Sequence, residues 1–173
     1  LIYDISNNSM HFVGVESITI SKKNNIIIYP KKGKVELNKN RSVKLLGDIS
    51  VGNFDFNGVR VHFDYETYLL DLIEIDTLRM MTKNNSKDSY NYLFNIGGDL
   101  FINHPKNKSS RRDLPKFPSF ISKKSTKVYF DLPEEYGEEY DSSFYFSIDQ
   151  FQIDSLDKSS LPKFEFPGTF FSN

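Results

Sequence analysis

The stretch "GVRVHFDYETYLLDLIEIDTL" (Gly58 to Leu78) decides the fold class. Val59, Val61, Phe63 and Tyr65 alternate with Arg60, His62, Asp64 and Glu66, so an extended chain buries the first set and wets the second. Helical periodicity is absent. Alternation continues through Tyr68, Leu70 and Leu72, then changes parity to Ile73 and Ile75. One extra residue in a strand turns all following side chains over, so the change predicts a β-bulge.

The end of this stretch recurs. "TYLLDLIEIDTL" (Thr67 to Leu78) aligns with "YFSIDQFQIDSL" (Tyr145 to Leu156), where Phe146 and Ile148 share one face and Phe151 and Ile153 take the other. The glycine-bearing segments "LLGDI" (Leu45 to Ile49), "IGGDLF" (Ile96 to Phe101) and "FPGTFF" (Phe166 to Phe171) flank the copies and read as strand starts. Their unequal spacing makes a degenerate internal repeat with an insertion. The expected fold is all-β, a sandwich or open β-groove of roughly 12 to 14 short, mostly antiparallel strands with little helix. "YPKKG" (Tyr29 to Gly33) reads as a hairpin or corner.

The expected organisation is a first β-rich unit over residues 1–80, a polar connection over 81–92, and a second unit over 93–173 with a basic, Pro-containing insertion at 103–128. Starting at Leu1 within "LIYDI" and stopping inside a third cycle, the chain reads as a piece of a longer polypeptide. The expected core includes Phe12, Val15, Ile18, Ile20, Ile27, Val59, Val61, Phe63, Leu70, Ile73, Ile75, Leu100, Phe130, Phe146, Ile148, Phe151, Ile153 and Phe166.

Composition bounds the chemistry. The chain has 16 Phe and 10 Tyr, so few but large side chains build the core. A net charge of −1 supplies no field to recruit nucleic acid. No Cys is present, which removes thiolate catalysis, disulfides and Cys-rich zinc sites. No apolar run reaches the ~18 residues a membrane helix needs.

Catalytic motifs are missing. His11, His62 and His104 lack metal-site spacing, and "GDISVGNFDFNG" (Gly47 to Gly58) reads as turns and bulges, not a phosphate loop. Two acidic sets, Asp71, Glu74, Asp76 and Asp149, Asp154, Asp157, are what a glycosidase would draw on, and what any acidic β protein carries. "DLPEEYGEEYD" (Asp131 to Asp141) lacks the ordered spacing of a calcium loop. From Asn103 to Val128 there are eight Lys or Arg and one acid; from Tyr129 to Asp157 there are nine acids and no base. The basic block, with Lys106, Lys108, Arg111 and Arg112, is either a charged surface paired with the acidic one or an interaction loop. Asn7, Asn84 and Asn107 lie in N-x-S sequons that carry little weight in an Asn- and Ser-rich chain. No cofactor is expected, and no catalytic residue is assigned.

The run "GGDLFINHPKNKSSRRDLPKFPSF", followed by "VYFD", "FYFSIDQFQIDSL" and "FEFPGTFFS", resembles segments of large, uncharacterised, repetitive β-rich envelope proteins of Bacteroidota. "SMHFVGVESITI", "YPKKGKVEL" and "FDYETYLLDLIEIDTL" fit the same resemblance. A weaker likeness in style is to the β-groove proteins of the AsmA/TamB and Lpt types, which carry lipid. The resemblance implies an exported protein of the periplasm, outer membrane or cell surface. It implies no established activity, and the role expected of the chain is non-catalytic, structural or in assembly, among other subunits of an envelope protein or secretion-linked complex. Thr77 and Ser155 fit the Asp-Ser/Thr-aliphatic pattern of O-glycosylation in those organisms. The alternatives are a lipid- or glycan-binding module, with Tyr65, Tyr136 or Tyr145 exposed along a groove, and a carbohydrate-active enzyme.

Overall fold

The computed structural model describes residues 1–84, 87–129, 145–157 and 166–172. These form β1 (Ile2–Asp4), β2 (Ser9–Phe12), β3 (Ile18–Ser21), β4 (Ile26–Pro30), β5 (Val35–Asn38), β6 (Val43–Val51), β7 (Phe54–Asp64), β8 (Leu69–Asn84), β9 (Lys87–Phe101), β10 (Ser119–Ser122), β11 (Thr126–Tyr129), β12 (Tyr145–Ile148), β13 (Gln152–Ile153) and β14 (Gly168–Phe171). Helix is limited to two 3-10 turns among the described residues. Among the described residues the protein is all-β and antiparallel, with no closed barrel. The main sheet has eleven strands, ordered β1-β2-β5-β6-β7-β8-β9-β10-β13, with β4 on β6 and β3 on β4; a second sheet is ordered β11-β12-β14.

The main sheet forks at β6. Gly47–Val51 of β6 pair with β4, while Val43 and Lys44 pair with β5 and the opposite edge is filled by β7. At the branch point a side chain on Gly47 would collide with the Tyr29 carbonyl oxygen, so only glycine lets the two backbones approach. "YPKKG" is therefore a corner that carries the chain from one branch to the other, through a 3-10 turn at Lys31–Gly33.

Residue registry organises both faces of this sheet. On the inner face, Tyr3, Met10, Leu37, Val43, Phe63, Leu70, Leu100, Phe120 and Ile153 stand opposite one another in succession from β1 to β13. This apolar spine is fully buried at Leu70, Leu100 and Phe120. The sheet curls strongly: Phe56 of β7 and Phe120 of β10 have ring centroids 5.2 Å apart, though two strands lie between them. Phe120 touches Phe151 at 6.0 Å, and Phe151 meets Phe166 edge-on at 4.8 Å. Ile148 of the second sheet joins the same core.

The parity change at Leu72–Ile73 is a bulge. Leu72 stands opposite Gly98 but Ile75 opposite Ile96, so β8 carries one extra residue there. The extra residue keeps both Leu72 and Ile75 buried and turns Ile73 outward, 48% exposed, which corrects its placement in the core. Ile27 is likewise off the core face, which its neighbours Ile26 and Ile28 occupy, and Phe130 lies outside the described residues. A second irregularity crosses the sheet nearby. Gly58 (φ 65°) donates its N–H to Asp48 Oδ1 at 2.8 Å, with the Asp76 carboxylate lying over its Cα.

Four expectations change. Alternation through "DYET" suggested one strand, but Asp64 Oδ1 accepts from the Glu66 N–H at 2.8 Å and Tyr68 takes φ 57°, which turns β7 back into β8. The Glu66 N–H holds the Asp64 carboxyl below its ordinary pKa, and burial raises that of Tyr68. Residues 81–84 and 87–92, expected to lie in a polar connection, pair as the far half of the β8–β9 hairpin, and the main sheet runs across the proposed unit boundary. The two sequence copies also differ in setting. Thr67–Leu78 enters one long central strand, whereas Tyr145–Leu156 is split between β12 of the second sheet and β13 of the first. Its parity change is a crossing between sheets. The glycines of "LLGDI" and "IGGDLF" lie within β6 and β9 instead of starting them.

Candidate functional site

The inner spine ends uncovered. Tyr3 and Met10, at its β1–β2 end, are 52% and 41% exposed, with Leu1, Ile2 and Ile5 exposed beside them. Among the described residues β1 pairs with β2 alone, and no described strand covers its other edge. Tyr3 Oη donates to Asn8 Oδ1 at 2.7 Å, and Asp4 closes the β1–β2 turn by accepting from the Ser6 hydroxyl at 2.6 Å and the Asn7 side-chain amide at 2.8 Å. Those bonds hold the Asp4 carboxyl at about 2. At the other end of the chain, β14 pairs with β12 alone among the described residues and exposes Phe170 and Phe171.

Two depressions flank the fork, and Phe12, Val35, Leu45 and Val61 line both. Between the branches on the inner side is a cleft of about 290 Å³, whose lining includes Phe12, Ile18, Ile20, Val35, Leu37 and Val43 and has no polar surface. On the outer face is a trough of about 590 Å³. A second registered row crosses it: Ile2, His11, Glu36, Lys44, His62, Asp71 and Asp99 oppose one another across seven strands, and the four from His11 to His62 line the trough. Two residues further along the strands lie Val13, Lys34, Leu46 and Arg60, and the bulge adds Ile73. His11 and His62, 51 positions apart, thus line one trough. Sequence spacing could not reveal this, because registry through β5 and β6 creates it.

Beyond the trough the row turns acidic. Asp71 and Asp99 stand directly opposite, and Lys123 Nζ lies 2.9 Å from the first and 2.7 Å from the second. Hydrogen bonding to Asp99, then to Asp71, raises the Lys123 pKa. Glu74 pairs with Arg60 at 3.3 Å, and Asp154 accepts from Gln152 Nε2 at 2.7 Å. The acidic sets therefore go to separate places along the chain. Among the described residues no group of three or more His, Asp or Glu could hold a metal ion. "DLPEEYGEEYD" and Tyr136 lie outside the described residues.

The basic loop is built on asparagines. Buried Asn107 donates from Nδ2 to Asn103 Oδ1 (3.1 Å) and to the Arg112 carbonyl (2.9 Å), and its Oδ1 accepts from the Arg112 N–H at 3.1 Å. An Asn so committed makes a poor glycosylation acceptor. Lys106, Arg111 and Arg112 are exposed on this loop, whereas Lys108 is drawn in: its Nζ lies 4.4 Å from the Tyr65 ring centre and 3.8 Å from Glu66. Arg41 lies 5.2 Å from the same ring centre, so Tyr65 is flanked by two cations. Tyr145 stacks on Phe171 at 4.9 Å. Thr77 is half-buried in β8 between Asn57 and Phe94, and the Ser155 hydroxyl donates to the Pro115 carbonyl.

Among the described residues no helix is long and apolar enough to cross a membrane. Comparison with family models, with curated proteins and with solved structures finds no match to this chain.

Proposed function

We propose that this chain is a non-catalytic structural and assembly module of a large exported cell-envelope protein or secretion-linked complex, and that it works by extending its main sheet into partner chains. The observation that carries the reading is the inner spine. It runs unbroken from the buried Phe120 to Tyr3 and Met10, where apolar side chains coincide with a strand edge that has no partner among the described residues. Soluble proteins commonly blunt such edges with charge, Pro or bulges. β1 instead offers an edge left unpaired among the described residues, flanked by Leu1, Ile2, Tyr3 and Ile5. An added strand would satisfy the backbone and cover the end of the spine, as in recognition by β-augmentation. The likeness to Bacteroidota envelope proteins supports the cellular setting.

Crosslinking mass spectrometry on the native assembly tests this. Crosslinks from residues 1–12 to a partner chain are expected, and they should vanish in a Tyr3→Lys/Met10→Lys variant whose charges forbid covering the spine. Recovery of the protein from cells as a free monomer, or from the cytosol, overturns the reading.

The wholly apolar inner cleft favours a second reading, carriage of a hydrocarbon chain, because such a cavity repels water and accepts apolar guests. Native mass spectrometry of protein purified without detergent decides it: a bound lipid supports carriage, and a bare chain rejects it.

A further inference from the structure

The outer trough combines features that an ordinary wet sheet face does not need. Val13 and Leu46 are 60% and 44% exposed and line it together with Ile73. Ile73 is there because of the bulge, which spends one extra residue to point an isoleucine at solvent while Leu72 and Ile75 stay buried. Bulges commonly re-aim a side chain next to a functional site. Charge supplies the second feature. Lys34, Lys44 and Arg60 line the trough against one carboxylate, Glu36, which stands opposite Lys44 in register. Arg60 is engaged by Glu74, and Asp71, next along the row, is held by Lys123. Among the described residues Lys34 and Lys44 form no ion pair within 4.0 Å. His11 and His62 add donors at the same wall.

From this geometry we infer that the trough binds an amphipathic anion: an aliphatic chain lying along Val13, Leu46 and Ile73, with a single carboxylate or phosphate head taken by Lys34 and Lys44. The volume of about 590 Å³ falls within the range of small-molecule sites. A purely apolar guest would leave the two lysines unanswered, and a small inorganic anion would leave the three aliphatic side chains in water. The inference is independent of strand addition at β1, which uses the free edge instead of this face.

Isothermal titration of the 173-residue chain with dodecanoate, dodecyl phosphate, dodecyl maltoside and acetate, each below its micelle concentration, tests it. Both anionic amphiphiles are expected to bind more tightly than the maltoside, and acetate should not bind measurably. Preference for dodecanoate over dodecyl phosphate, or the reverse, identifies a fatty-acid or a phosphate-ester head. Lys34→Gln/Lys44→Gln should weaken the anions by about 3–10-fold and the maltoside little, with the anion preference falling as salt rises. Ile73→Ser should weaken all chain-bearing probes by about 5–20-fold. These residues are exposed, so the variants keep the fold; Ile20→Ser in the inner cleft serves as control and should leave dodecanoate binding unchanged. The inference fails if dodecanoate does not bind, if the maltoside binds equally well, or if Ile20→Ser abolishes binding while the trough variants do not.

Discussion

Phe56 and Phe120 meet at 5.2 Å with their rings tilted by 54°, although β7 and β10 are separated by β8 and β9. In a flat sheet three strand spacings alone would hold them at least roughly 14 Å apart. The contact is therefore a measure of how far the sheet curls upon itself. Both rings are fully buried. Truncating either to Ala should cost about 3–5 kcal/mol through lost burial and a cavity, with Phe120→Leu milder. Denaturant unfolding checks this, and a loss below about 1 kcal/mol for both would mean that the curl is held elsewhere.

Gly58 and Asp76 share one small space. A methyl on Gly58 would strike the Asp76 carboxylate, and φ at 65° is unfavourable for a side chain anyway. Gly58→Ala should destabilise by about 2–3 kcal/mol. Adding Asp76→Ala should recover the steric part and leave the backbone cost. Equal stability of the single and double variants would remove the collision from the account.

Lys123 holds two opposed carboxylates together, yet it is half exposed. Lys123→Met should cost no more than about 1 kcal/mol near neutral pH. Its pKa is raised in the fold, above the ordinary 10.5. The stabilisation from its charged form is therefore fully present below the unfolded value and is lost as pH rises through the folded one. Unfolding midpoints of wild type and variant should converge in that alkaline window. A difference that grows with pH there contradicts the pairing.

Asp4 gives the opposite sign. Its carboxyl is depressed from 3.8 to about 2, first by the Ser6 hydroxyl and then by the Asn7 amide. Its contribution is present above the ordinary value and disappears as pH falls from 3.8 towards 2. Carboxyl NMR titration should locate the low midpoint, and amide exchange should show β1 loosening from β2 in the same window. An ordinary midpoint would mean that the β1–β2 turn is not held in this form.

Much of the fold is legible in the chain. Alternation from Val59 to Phe63 placed those side chains on the core face, and the parity change at Leu72–Ile73 located a bulge that the backbone contains. Both signals are local, since a strand's period of two and its interruption depend only on neighbouring residues. The same period misplaced Ile27, because a run of three isoleucines does not say which face the middle one takes. It also ran through "DYET", where the Asp64 carboxylate outweighs alternation by capping a turn.

Tertiary structure alone decided what the surface can do. His11 and His62 come to line one trough, and Lys44 and Glu36 become neighbours, through strand registry, a relation between distant segments that no local pattern encodes. The similar "IEIDTL" and "FQIDSL" enter unlike settings for the same reason: a strand's partners, more than its own residues, determine whether it continues or crosses between sheets. Sequence thus determined which side chains alternate and where the alternation breaks. The fold determined which of them meet, because pairing across a sheet is fixed by the sum of all its strands.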